Sequence, residues 1–246
     1  MNIIISPAKK MNVCNDDLLS DTVPPFMDKT EILYNHLSSM SYDELKKLLV
    51  CNDEIADLNF QRYKYMRLDS NLSPALLTYD GIQYKYMSPN TFSINDFRYA
   101  RKHLKILSGF YGILTPFDGI VPYRLEMQAK MKSDEFKNLY DFWGDSIYKN
   151  LTSEDRTILN LASREYSKIV EKYITDDDTF ITCIFGSLKE DKIKVKATEA
   201  KMARGLMVRY LCANNTEDIN DVKDFSDMGF TFSEKHSNDS EFVFLR

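Results

Sequence analysis

Only three histidines, His36, His103 and His236, occur in the 246 residues, and none has a carboxylate or second histidine at ligand spacing. A histidine-built metal centre is therefore disfavoured, because such sites draw their ligands from short, fixed spacings. The cysteines Cys14, Cys51, Cys183 and Cys212 form no C-x-x-C pair. Buried thiols are expected rather than a zinc ribbon or a redox dithiol. The eight glycines and seven prolines are not gathered into a linker, which points to a single domain over residues 1–246. No run approaches the roughly 18 apolar residues of a membrane span. The start, Met1 to Pro7, lacks a basic segment and a long apolar stretch, so a cytoplasmic protein with no membrane partner is expected. A Walker loop, a G-x-G-x-x-G fingerprint, a G-x-S-x-G elbow and H-E-x-x-H are also missing, and four common enzyme classes lose support.

Excess positive charge is missing too. The net charge is −5, which opposes wholesale coating of nucleic acid, since phosphate neutralisation needs lysine and arginine gathered on one surface. Any such contact must use a local patch. What the chain does have is apolar bulk: 43% hydrophobic residues, with 15 Phe and 15 Tyr, enough for a sizeable core.

Ile3 to Ile5 read as a buried strand ending at Ser6-Pro7, with Lys9 in the loop beyond. Residues 28–66 read as helices, with Ser41 and Glu44 spaced as a capping box and Asn52 or Asp53 as a second start. Residues 75–79 look like a strand before the Asp80-Gly81 turn, Asp96 to His103 like a helix and Leu104 to Leu107 like a strand. Residues 108–124, rich in Gly and Pro, are expected as an ordered loop. A helix over 135–150, strands at Thr157 to Leu161, Phe180 to Phe185 and Lys192 to Lys196, a helix over 198–213 and a C-terminal hairpin complete the pattern. The alternation implies an α/β, mixed α+β fold: a central mixed sheet surrounded by helices.

Several polar groups stand out. Tyr123, Arg124 and Glu126 follow the glycine-rich loop and offer a stacking ring, a planar cation and an acid/base group, or simply an internal Arg–Glu pair. Asp145, just after Gly144, suits a turn or the orientation of a cation. Asn160 to Tyr166 places small and polar residues after a strand, where α/β proteins commonly build sites. On the helix over 198–213, Lys201, Arg204, Gly205 and Arg209 share one face. Gly205 there invites a packing or contact explanation, because mid-helix glycine costs about 1 kcal/mol relative to alanine. Lys192, Lys194 and Lys196 alternate just upstream and point to one side of their strand. Asp176-Asp177-Asp178 reads as an exposed acidic turn.

Taken in order, Ile5-Ser6-Pro7-Ala8-Lys9, the stretch from Leu107-Ser108-Gly109 to Tyr123-Arg124-Leu125-Glu126-Met127, Leu139 to Asp145, Asn160-Leu161-Ala162-Ser163 and Ala203-Arg204-Gly205-Leu206-Met207 resemble the peroxide-stress protein YaaA family. The resemblance covers essentially the whole chain. It implies a bacterial protein that limits free intracellular iron during hydrogen peroxide stress and binds double-stranded DNA through a basic cleft. It also implies a helix-hairpin-helix-like element in the N-terminal third, near residues 45–62. Lys9, Arg124, Lys201, Arg204 and Arg209 match basic positions of the family pattern. Tyr123, Lys194 and Lys196 complete the set expected to meet DNA. Two departures are visible: Leu114-Thr115-Pro116 stands where the family commonly has Leu-Arg-Pro, and Cys51 to Ala56 lacks the hairpin glycine. The alternative is an enzyme acting on a small anionic metabolite, with Arg124 and Arg204 clamping the anion, Lys9 or Lys201 as cation or nucleophile, and Glu126 or Asp145 as acid/base. Neither reading implies a cofactor or a metal. An open groove would favour the duplex; a closed pocket of convergent charge would favour the metabolite.

Overall fold

The computed structural model describes residues 1–13 and 20–246; Cys14 lies outside them. Its strands are β1 Asn2–Ile5, β2 Lys10–Met11, β3 Ser73–Pro74, β4 Tyr79–Asp80, β5 Leu104–Ser108, β6 Gly112–Leu114, β7 Gly119–Ile120, β8 Thr157–Leu161, β9 Thr179–Lys189, β10 Lys192–Lys194, β11 Thr231–Phe232 and β12 Glu241–Leu245. Its α-helices are α1 Met27–Ser39, α2 Tyr42–Leu49, α3 Asp53–Tyr65, α4 Ala75–Thr78, α5 Ile82–Met87, α6 Ile94–His103, α7 Leu139–Trp143, α8 Ser146–Leu151, α9 Arg164–Glu171 and α10 Ala197–Asn214.

The expected mixed sheet is present. Its order is β11-β12-β9-β8-β1-β5-β6, with β10 paired to β9. β12, β9, β8, β1 and β5 run parallel, while β6, β10 and β11 are antiparallel to their neighbours. Parallel strands buried on both faces read as continuous apolar runs, and Ile3, Ile4 and Ile5 at the centre are fully buried. The chain leaves β1 for β5 on one flank; from β8 it moves to β9 and β12 on the other. The direction of winding thus reverses between β1 and β8, and in such sheets the reversal opens a crevice at the carboxyl ends of the strands.

Local signals explain several boundaries. Ser41 and Glu44 form the capping box of α2, and Asn52 accepts from the Ile55 N–H at the start of α3. α2 and α3, joined through Val50 in the left-handed region, occupy the segment expected to resemble a helix-hairpin-helix. β11 and β12 form the expected hairpin, with Phe232 opposite Phe244.

Four expectations need correction. Residues 75–78 form the helical turn α4 rather than a strand, and extended pairing is confined to Tyr79–Asp80 against β2. The helix expected over 135–150 is two short ones, because Gly144 takes φ 52° and ψ −133° and stops α7. The loop over 108–124 contains two short strands, β6 and β7. The acidic turn is also only partly exposed: the Asp178 carboxylate turns inward, accepting from Tyr148 at 2.8 Å and the Thr175 N–H at 2.8 Å.

Candidate functional site

Ile5 and Leu161 are register partners at the ends of β1 and β8, so Ser6 and Ser163 emerge side by side. Ser6 Oγ accepts the Ser163 N–H at 2.8 Å and lies 3.2 Å from Ser163 Oγ, tying the two strand ends together. A cavity of about 360 Å³ opens above them, in the size range of small-molecule pockets. Its charged lining comes from Lys9, Lys10, Asp80, Arg124, Glu126, Glu165, Lys201 and Arg204.

One wall is the segment after the glycine-rich loop. A Cβ on Gly109 would collide with the Leu125 carbonyl, so glycine here lets the end of β5 lie directly against residues 125–127. Tyr63 of α3 clamps the backbone of Arg124, donating to its carbonyl at 2.7 Å and accepting its N–H at 3.2 Å. The Arg124 side chain then reaches Glu126 Oε1 through Nη2 at 2.9 Å and Nε at 3.1 Å, and Lys9 Nζ reaches the same oxygen at 3.0 Å. Arg124 and Glu126 are only 12% and 11% exposed, whereas Lys9 is 64% exposed at the mouth. All three contacts fall on Oε1, which leaves Oε2 without a partner among the described residues.

Tyr123 sits behind this pair. Ser108 Oγ accepts the N–H groups of Phe110 and Tyr111, so both its lone pairs are used and its proton points to Tyr123 Oη, 2.6 Å away. Tyr123 Oη lies 2.8 Å from Tyr79 Oη. Burial pushes the Tyr123 hydroxyl up to about 12, and it remains a phenol at neutral pH. Its ring stacks on Phe110 with centroids 5.0 Å apart and is 4% exposed, so no face is offered to an external base. The expected stacking role is corrected to a hydrogen-bonding one.

A second wall comes from β4 and α5. Asp80 binds Lys10 at 2.7 Å and Lys85 at 3.5 Å, and these cations hold its carboxyl below the usual range. Tyr84 donates to the Ser6 carbonyl at 3.0 Å. The third wall is α10. A Cβ on Gly205 would strike the Gln83 carbonyl and crowd the Met87 N–H, so glycine lets α10 press against the backbone of α5. That contact sets Lys201 and Arg204 toward the cavity. Arg204 Nε is buried without a hydrogen bond, and burial lowers the pKa of its guanidinium.

Glu165, in the first turn of α9, lies in the segment Asn160 to Tyr166 that the sequence marks as a place for a site, but it is not itself among the expected site residues. Burial raises its carboxyl above the usual range and Glu126 adds to the effect, although the Gln128 N–H at 3.3 Å and the charges of Lys9 and Lys201 oppose it. Ser6 and Asp80 were likewise absent from the expected set.

Other expected residues lie elsewhere. Asp145 is outside the cavity, paired with Lys149 at 2.8 Å. Lys194 is exposed on β10, and Lys196 pairs with Glu199 at 3.0 Å. Arg209 hydrogen-bonds Thr91 Oγ1 at 2.7 Å, on a separate shallow surface. Lys9, Tyr123, Arg124, Glu126, Lys201 and Arg204 are the expected residues that the fold brings together, with Tyr123 buried behind the charged ones. Among the described residues, no group of three or more His, Cys, Asp or Glu side chains could hold a metal ion, and no helix is long and apolar enough to cross a membrane.

Residues 1–236 match the family model described as peroxide stress protein YaaA. The chain is similar over its whole length to a UPF0246 protein of Desulfitobacterium hafniense, at 54% identity with 98% of that relative covered. It is also similar to UPF0246 proteins of Ligilactobacillus salivarius, 49% identical with both chains fully covered, and Agathobacter rectalis, 48% identical with 100% and 99% covered.

Proposed function

This chain belongs to the peroxide stress protein YaaA family, and from that premise we propose that it serves peroxide protection by binding and transforming a small anionic metabolite in the β1/β8 pocket. The observation that carries this reading is the convergence of Lys9, Arg124, Glu126, Glu165, Lys201 and Arg204 on one cavity of about 360 Å³, a volume for a metabolite and not for a duplex. Arg124 and Arg204 supply planar cations for anion recognition. Glu126, held by two cations, and Glu165, shifted toward its protonated form, supply two carboxyl groups whose environments differ, the arrangement that lets one act as base and the other as acid. The test is equilibrium dialysis of the protein against a small-molecule extract, with Arg124→Gln/Glu126→Gln as control. Retention of an anionic compound by the wild type alone supports the reading; retention of none by either protein overturns it.

Exposed Lys9, Lys194, Lys201 and Arg209 favour a second reading, binding of double-stranded DNA with indirect limitation of free iron. Lys194, Lys201 and Arg209 have no ion-pair partner among the described residues and are available to phosphates. Against it, the start of α3 carries Asp53 and Glu54, which repel phosphate. Anisotropy with a duplex across a salt series decides: a steep salt slope lost in Lys194→Glu/Lys201→Glu/Arg209→Glu supports this reading, and no binding at low salt removes it.

A further inference from the structure

The charges lining the pocket fall into two groups. Lys9 and Arg124 are spent on Glu126, and Lys10 on Asp80. Lys201 and Arg204 have neither an ion pair nor a hydrogen bond among the described residues, and both lie on the α10 wall. The base of the same cavity holds further donors. Ser6 Oγ donates to Ser163 Oγ, which leaves the Ser163 proton free. The Ser163 side chain does not cap α9, although serine commonly caps a helix at this position. The Tyr166 and Ser167 N–H groups return to the Ser163 carbonyl, while those of Arg164 and Glu165 have no acceptor among the described residues.

We infer that this end of the pocket is a phosphoryl seat, and that the metabolite is a phosphorylated small molecule whose phosphate meets Ser163, the first turn of α9, Lys201 and Arg204. The inference rests on the small-anion reading above and narrows its ligand class. Donor count is the reason. A hydroxyl, two backbone N–H groups, an ammonium and a guanidinium exceed what the two oxygens of one carboxylate accept in comfortable geometry, but they suit the three terminal oxygens of a phosphate. Two uncommitted cations also match a dianion, and the positive end of α9 adds to them. The buried Arg204 Nε is the independent sign: a guanidinium N–H held from water without an acceptor costs stability unless a ligand supplies one. The Arg124–Glu126 pair and Glu165 then remain for the rest of the molecule.

The test is isothermal titration of the full chain with inorganic phosphate and pyrophosphate at constant ionic strength, beside acetate and citrate. Wild type should bind the phosphates in preference to the carboxylates. Arg204→Gln and Lys201→Gln should each weaken phosphate binding by about tenfold or more, the scale of one charge-assisted hydrogen bond. Lys149→Gln, outside the pocket and paired with Asp145, should leave it unchanged. Lys201 is exposed, so its variant keeps the test informative if Arg204→Gln does not fold. Carboxylates binding without phosphate would overturn the phosphoryl seat and leave the small-anion reading standing. Phosphate binding unaffected by Lys201→Gln and Arg204→Gln would overturn the seat as placed, and no anion binding at all would overturn both.

Discussion

The two ends of the parallel strands carry cavities of opposite character. At the amino ends of β1 and β5 lies a space of about 520 Å³, larger than the one at the carboxyl ends, lined by residues including Asn2, Lys102, His103, Lys105, Asp118 and Glu154. Its polar groups are largely bonded to one another or to backbone. Asn2 donates to the carbonyls of Leu151 and Asp155, both at 2.8 Å; Lys102 pairs with Glu217 at 2.9 Å; His103 Nδ1 lies 2.7 Å from the Met1 carbonyl. Asp118 accepts from the Thr115 N–H and hydroxyl. Lys105 is an exception: it has no ion pair or hydrogen bond among the described residues, and burial lowers its pKa against the opposing charges of Glu154 and Asp118. The smaller cavity has ion pairs of its own, but Lys201, Arg204, one oxygen of Glu126 and most of the Glu165 carboxyl lack partners among the described residues. The convergence of several uncommitted charges, against the half-buried Lys105 of the larger cavity, and not volume, separates a ligand site from a structural junction.

The sharpest way to break this contrast is Glu126→Ala. It leaves the largely buried Arg124 without its carboxylate, and a stability loss of about 3 kcal/mol is expected in chemical denaturation, together with loss of anion retention. A loss below about 0.5 kcal/mol would show that the pair is effectively solvated, as surface pairs are. Next is Gly205→Ala, whose methyl group must push α10 off α5. Overpacking of this kind costs about 2 kcal/mol and should weaken anion binding by displacing Arg204. At the opposite end, Asn2→Ala removes two hydrogen bonds and should cost about 1.5 kcal/mol while leaving anion binding untouched. If it altered binding, the two ends would not be independent.

A smaller effect concerns pH. Burial raises the Glu165 carboxyl, so the folded state holds this proton at pH values where the unfolded chain has lost it. The contribution is fully present below the ordinary glutamate range and is lost as pH rises through the raised value. Glu165→Gln should therefore flatten the fall in stability from mildly acidic toward neutral pH, read from denaturation midpoints at several pH values. A profile parallel to that of the wild type would place Glu165 in water.

Much of the fold was legible because its causes are local. The Ser41/Glu44 capping box, the apolar run of β1 and the bounds of β8 depend on residues close in sequence. The errors at 75–79 and 135–150 arose where local preference and chain geometry conflict: Ala75 to Tyr79 suits either helix or strand, and a single positive-φ glycine splits an apparently continuous helix. At the site, Arg124, Glu126, Lys201 and Arg204 were visible as unusual polar groups in patterned segments. Ser6 and Asp80 were not, and Glu165 was visible only as part of the flagged segment Asn160 to Tyr166, since all three become site residues only when β1, β8 and α5 meet. Gly205 was visible as an anomaly, and its explanation, the backbone of α5, lies more than a hundred residues away.

The most direct test of the central claim is thermal stability against phosphate concentration at fixed ionic strength, for wild type and Lys201→Gln/Arg204→Gln. A ligand that binds only the folded chain raises Tm in a saturable way. The account predicts a saturable rise in the wild type that the double variant loses. An equal rise in both proteins, or no rise in the wild type, would contradict it.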